Sequence, residues 1–298
     1  MTGNPTHPDR GRIVAGNALG VASMAAWAAG FPAAEALLAD WDLPLLVAAR
    51  FLSALLVLVP FWLLREGVGA LARVPWMRGM AIGAIGFGGS ALTILLSQWY
   101  TDPVTVAIFA ATTPLCATVV AWMVLGRGFS RGFFLGLVAA LVGGIIATGN
   151  GVPGSIGAGA LFAVISGLLF SWGTLMTIRH LGAQSGLGQI SVTATGATLA
   201  MGVFALALWA AGVVTLPEQP LTLTNLGLFA LYGVLAYAVS QVMWIGSAAR
   251  LGVAVASFHV NIAPFYTMLI LLALGGDWSW PQAIGAAIVG LGVVVAQR

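Results

Sequence analysis

Residues 83–98, GAIGFGGSALTILLSQ, and residues 233–248, GVLAYAVSQVMWIGSA, are apolar stretches set 150 positions apart that share a sparse pattern. Gly83 falls on Gly233, Phe87 on Tyr237, Ser90 on Ser240 and Ser97 on Ser247, with Trp244 inside the second copy. Steps of four, three and seven put all four residues on one stripe of a helix. A polar and aromatic stripe on an otherwise apolar helix faces protein or water rather than lipid. The same offset carries Pro114 onto Pro264, and after a one-residue slip it carries Gly136 onto Gly285 and Gly143 onto Gly292. A common offset over several stretches marks an internal duplication.

Outward from these two helices, the apolar blocks form ten spans, roughly 13–34, 43–64, 77–98, 103–125, 132–150, 157–178, 188–212, 223–246, 252–275 and 281–297. Each approaches the ~20 residues that a bilayer crossing requires. The connections sort by charge. Arg10 and Arg12 precede the first span, and Arg65, Arg73, Arg78, Arg127, Arg131, Arg179, Arg250 and Arg298 continue the series in alternate connections. The intervening ones hold Glu35, Asp40, Asp42, Asp102, Glu218 and Asp277 and no arginine. Cytoplasmic connections retain arginine, so both termini are expected in the cytoplasm, and the even span count agrees.

Composition excludes most other classes. The chain is 60% hydrophobic and 6% charged, too little polar surface to coat a soluble globule of 298 residues, so an all-α integral membrane protein is expected. Its net charge of +3 is dispersed over several connections. That distribution suits anionic headgroups, making the lipid bilayer a partner and nucleic acid none. The single Cys116 lies within span four, so no disulfide forms within the chain.

Ten spans divide near Gly151 into residues 13–150 and 151–298, with residues 1–12 as a cytoplasmic tail. Five is odd, so the second half crosses in the opposite sense and the two repeats are inverted. Such a chain can take two mirror-related arrangements about a midplane site, the physical basis of alternating access. Pro114 and Pro264 each remove a backbone hydrogen bond within a span, and Gly83 and Gly233 permit close contact or bending. These four are candidate hinges.

The run 104–147, VTVAIFAATTPLCATVVAWMVLGRGFSRGFFLGLVAALVGGIIA, and its counterpart 253–296, VAVASFHVNIAPFYTMLILLALGGDWSWPQAIGAAIVGLGVVVA, resemble the two copies of the EamA module of the drug/metabolite transporter superfamily. Arg50 and Phe51 opening span two, and Trp27 and Trp172 in the first span of each half, add to the likeness. Size and aromatic content are most similar to the bacterial YddG-type exporters of amino acids. The resemblance implies a monomeric carrier in the bacterial cytoplasmic membrane: ten helices around a central cavity built from spans one, three, four, six, eight and nine, with five and ten peripheral.

Eight tryptophans, Trp41, Trp62, Trp76, Trp99, Trp122, Trp209, Trp278 and Trp280, fall near span ends, where an interfacial aromatic belt accounts for them. Trp27, Trp172 and Trp244 do not, and are candidate cavity walls with Phe87, Ser90, Tyr237 and Ser240. His259 is well inside a span; it and Asn261 are candidate polar contacts, against a structural alternative of bonding to neighbouring carbonyls. Thr112, Thr113, Asn261 and Tyr266 flank the prolines and are placed to satisfy freed backbone groups. Arg50 lies seven residues into span two, where an uncompensated charge costs up to ~2.5–3.5 kcal/mol at a helix centre. It pairs with Glu35, snorkels outward, or serves as counter-ion for a substrate carboxylate.

Deep carboxylates of the kind that exporters of cationic drugs use are absent, which favours neutral or zwitterionic cargo. No HExxH, paired midmembrane aspartates, metal-ligand cluster or phosphate-binding loop occurs, so no enzyme, metal, cofactor or ATP use is expected. The expected function is secondary transport of small metabolites, amino acids including aromatic and neutral ones. A non-transporting receptor or assembly subunit, or an exporter of another neutral metabolite class, is the alternative.

Overall fold

In the computed structural model, residues 10–126, 128–148 and 153–296 are described. The start of the 1–12 tail, Arg127, Arg298 and the boundary near Gly151 lie outside them. Among the described residues there is no strand. The helices are α1 (Arg10–Leu38), α2 (Leu43–Glu66), α3 (Trp76–Tyr100), α4 (Pro103–Leu125), α5 (Arg131–Ala147), α6 (Gly157–His180), α7 (Gly186–Ala210), α8 (Leu223–Leu251), α9 (Val253–Ala273) and α10 (Trp280–Val295). All but α5 and α10 are long and apolar enough to cross a bilayer, which makes eight candidate spans and two shorter apolar helices. Leu56, Leu64, Leu141, Leu206 and Leu291 stand exposed on these helices, as expected of a multi-pass protein whose outer surface meets lipid.

Local sequence sets the helix ends. Asp102 accepts hydrogen bonds from the Val104 and Thr105 amides at 3.0 Å, with Pro103 in the first turn of α4. Ser185 and Thr222 cap α7 and α8 in the same way. Gly252, at φ 83°, turns α8 into α9 without a longer loop.

Within the helices the regular pattern breaks in paired places. Residues Gly83–Gly88 of α3 and Ala230–Val239 of α8 are π-helical. The proline positions are not mid-helix kinks. Helix α4 is interrupted at Ala111 and Thr112, and α9 carries a 3₁₀ stretch at Ser257–Ile262, so Pro114 and Pro264 each fall in the first turn of the segment that follows. There a missing N–H is tolerated. The Ala110 carbonyl accepts from the Thr113 hydroxyl, and the Phe109 carbonyl accepts from Thr112 at 2.7 Å.

Small residues let the helices meet closely. A β-carbon at Gly83 would stand 1.8 Å from the Thr193 carbonyl oxygen of α7, and one at Gly233 2.7 Å from the Arg50 carbonyl oxygen of α2. Helices α5 and α10 cross where Gly143 and Gly285 touch, each β-carbon position lying 2.7 or 2.5 Å from the other's carbonyl. Gly292 repeats the contact against Ala139 and the Gly136 carbonyl.

Trp41 and Trp62 are fully or almost fully buried, Trp41 edge-on to Phe229 at 5.0 Å and Trp62 beside Trp76 and Gly188. This corrects their assignment to an interfacial belt: proximity to a span end does not say which way a ring points. Trp99, Trp122, Trp209 and Trp280 are exposed.

Candidate functional site

Helices α1, α3, α4, α6, α8 and α9 surround a central cavity, and α2 contributes Arg50 to its wall. The free space amounts to about 50 Å3, room for a few waters.

The wall pairs off along the chain. Moving by 150 carries Phe87, Ser90, Ala91 and Ile94 of α3 onto Tyr237, Ser240, Gln241 and Trp244 of α8, and all eight line the cavity. Moving by 143 carries Met24 and Trp27 of α1 onto Gly167 and Phe170 of α6, which line it too.

The contacts behind the wall repeat at the same offsets. Ser166 of α6 donates its hydroxyl to the Ser90 carbonyl of α3 at 2.9 Å, and Ser23 of α1 donates to the Ser240 carbonyl of α8 at 2.9 Å. The hydroxyls of each pair also meet, at 2.9 and 3.2 Å. Gly86 meets Gly173 as Ala236 meets Gly30, and Thr101 meets Gly159 as Leu251 meets Gly16.

Aromatic rings dominate one side. Phe170 lies 5.9 Å from Phe87 and 5.4 Å from Trp244, whose indole nitrogen donates to Thr174 at 3.2 Å. Edge-on and tilted rings at these distances form a continuous apolar surface.

Arg50 is 5% exposed. Its guanidinium sits 4.3 Å from the Tyr232 ring and 5.5 Å from the Tyr237 ring, with Nη1 donating to the Tyr232 hydroxyl at 3.4 Å. These cation–π partners, rather than Glu35, hold it. Its Nε, the Tyr237 hydroxyl and the Gln241 Oε1 are buried without a partner. All three residues face the cavity, and its lining contains no aspartate or glutamate. Arg50 and Trp27 are also shared with a smaller cavity lined by Gly30, Gln98 and Tyr232.

Three candidates lie elsewhere. Trp172 packs in the core and does not line the cavity. It stands two residues past Phe170, and two residues turn a helix by about 200°. His259 donates from Nδ1 to the Ala256 carbonyl at 2.9 Å and packs its ring against Gly20. Asn261, with a buried unpartnered Oδ1, faces Gly290 of α10. Sequence reading missed Ser23, Ser166, Phe170 and Gln241.

Residues 14–149 match the EamA-like transporter family. An uncharacterized transporter of Bacillus subtilis (strain 168), YyaM, is 24% identical over 259 residues, spanning 84% of this chain and 82% of that one. A solved crystal structure of another protein superposes with a TM-score of 0.70 at 20% identity, over 95% of this chain and 97% of that chain, and so shares the fold. An EamA-like domain in the first half and a transporter relative along most of the length support a membrane transporter of small molecules.

Proposed function

We propose that this chain is a secondary transporter exporting small metabolites, namely amino acids, aromatic and neutral ones included, by alternating access. Ten crossings form two inverted repeats, residues 13–150 and 151–298, in the bacterial cytoplasmic membrane, with both termini cytoplasmic and the monomer as the working unit. One observation carries the reading: residues at offsets of 150 and 143 pair around a single cavity and make the same contacts behind it. Two equivalent half-sites about one space are what alternating access requires. The cavity is too small for an amino acid as it stands, so cargo enters only when helices part. The serine pairs and the glycine crossings are where they slide, with Gly83, Gly233, Pro114 and Pro264 as hinges.

The wall suits an amino acid. Trp27, Phe87, Phe170 and Trp244 offer π-faces, Ser90 and Ser240 offer hydroxyls, and Arg50 offers a cation without a carboxylate partner. Specificity among side chains is broad, because apolar walls discriminate near-isosteres by only about 1–3 kcal/mol. The test is uptake of radiolabelled tryptophan, threonine and a dicationic drug into proteoliposomes. Uptake of both amino acids is expected. Transport of the drug alone, or of nothing, refutes the proposal.

A further inference from the structure

We infer that the substrate's carboxylate is the obligatory recognition element and its amine is dispensable, so the carrier also takes amine-free or N-acylated aromatic monocarboxylates. This rests on the transporter reading and redefines its substrate class by the carboxylate.

Arg50 is the one formally charged side chain on the cavity wall. A buried guanidinium is ordinarily matched by a carboxylate. Here its neighbours are two neutral tyrosine rings and one hydroxyl at 3.4 Å, and Nε has no partner. That Nε leaves a donor free for an incoming carboxylate. Arginine suits this role because its planar donors match two carboxylate oxygens at once.

Charge balance then decides the rest. A monocarboxylate neutralises the site. An ammonium on the same ligand restores a net positive charge, and the lining supplies no acid to meet it. What it does supply is neutral: the free Oε1 of Gln241, the serine oxygens and the π-faces. Such groups accept an ammonium without demanding one, so removing the amine leaves little unpaired, whereas removing the carboxylate strands Arg50. Symmetry points the same way. Thr193, the residue 143 positions beyond Arg50, turns its hydroxyl back to its own helix at Gln189, so the second half-site holds no charge.

The measurement is tryptophan exchange in proteoliposomes with unlabelled competitors: N-acetyltryptophan, indole-3-propionate, tryptophanamide and tryptamine. The two acids are expected to compete within a few-fold of tryptophan. The amide and the amine are expected to be weaker by about 10- to 100-fold, the worth of hydrogen bonds to a charged group. Arg50→Gln removes that difference between acids and amide, and Arg50→Lys, a charge without the fork, keeps part of it. Wild-type selectivity decides even if Arg50→Gln does not fold. Amide competing as well as tryptophan, or N-acetyltryptophan failing to compete, overturns the inference and leaves the transporter standing. Absence of any tryptophan exchange overturns both.

Discussion

Replacing Gly83 by alanine tests the crossing on which α3 is mounted. The added β-carbon would stand 1.8 Å from the Thr193 carbonyl oxygen and 2.8 Å from the Thr193 α-carbon. Comfortable contact is about 3.5 Å, so the helices must part locally by about 1.5 Å. Backbone on both sides leaves no flexible atom to yield. The same crossing holds Gly196, whose β-carbon position is 2.1 Å from the Met80 carbonyl oxygen, and parting loosens that contact too. Overpacking costs about 1–3 kcal/mol, against a gain of at most about 1 kcal/mol for alanine over glycine in a helix. Net destabilisation is expected. Gly88→Ala is the control: it lies in the same π segment, but its β-carbon would make only ordinary contacts, with Met201 Cε at 3.4 Å and with Met201 Cγ and the Gly83 carbonyl oxygen at 3.5 Å. The assay is thermal unfolding in detergent followed by tryptophan fluorescence. Gly83→Ala should melt lower than wild type and Gly88→Ala should not. A wild-type midpoint for Gly83→Ala would refute the close crossing. Equal losses in both would show that the π segment's flexibility, not the contact with α7, is what glycine provides.

Three further outcomes are expected. Ser90→Ala and Ser240→Ala should destabilise by similar amounts, about 0.6 kcal/mol and at most about 1.7; melts differing by more than that would deny the equivalence of the two pairs. Gly285→Val places side-chain atoms where the Gly143 carbonyl lies 2.5 Å away, so it should lower the melting midpoint yet leave the ranking of competitors unchanged, because α10 does not reach the cavity; an altered ranking would show coupling between the two. An imposed pH gradient should not drive uphill tryptophan accumulation in wild type or in His259→Ala, since no carboxylate lines the cavity; accumulation lost only in the mutant would assign proton coupling to His259.

The α3 and α8 stripes were legible because their composition is rare for lipid-facing helix. Phe87, Ser90, Tyr237 and Ser240 could be named from spacing, and the structure brings them to one wall. Gly83 shares the stripe but meets α7 instead. The first helix of each half carries a less distinct register. Matching Trp27 to Trp172 assumes an offset of 145, whereas the contacts run at 143, and that slip of two moves the choice from Phe170 to a ring facing the core. A better signal was present in the small residues: Gly16, Ser23 and Gly30 fall on Gly159, Ser166 and Gly173 at one offset. Matching residue types does not reveal Gln241, because its counterpart is Ala91 and the halves differ there. His259 and Asn261 illustrate a different limit. Polarity within a span says that a group needs a partner, not which one: for His259 a carbonyl three residues back on its own helix meets that need as well as a ligand does, and the Asn261 Oδ1 stands unpartnered against α10, away from the cavity.

On the proposed reading, the positions where the halves differ carry the chemistry. The wall's paired positions lie about one centre, yet Ile94 has Trp244 as its counterpart and Met24 has Gly167, so the two sides differ in shape. Gln241 as the counterpart of Ala91, and Arg50 where the other half has Thr193, add a difference in polarity. Arg50 also borders the second cavity beside Gln98, whose amide is committed to the Phe31 carbonyl at 2.8 Å. On the proposed reading, a carboxylate moving between the two spaces would stay within reach of one guanidinium, while its apolar part would exchange the Phe87–Phe170–Trp244 surface for Trp27 and Phe31. Holding the charge and releasing the ring is the cheaper order, because an ion left without a counter-ion in a low-dielectric passage costs several kcal/mol, while an aromatic contact costs about 1.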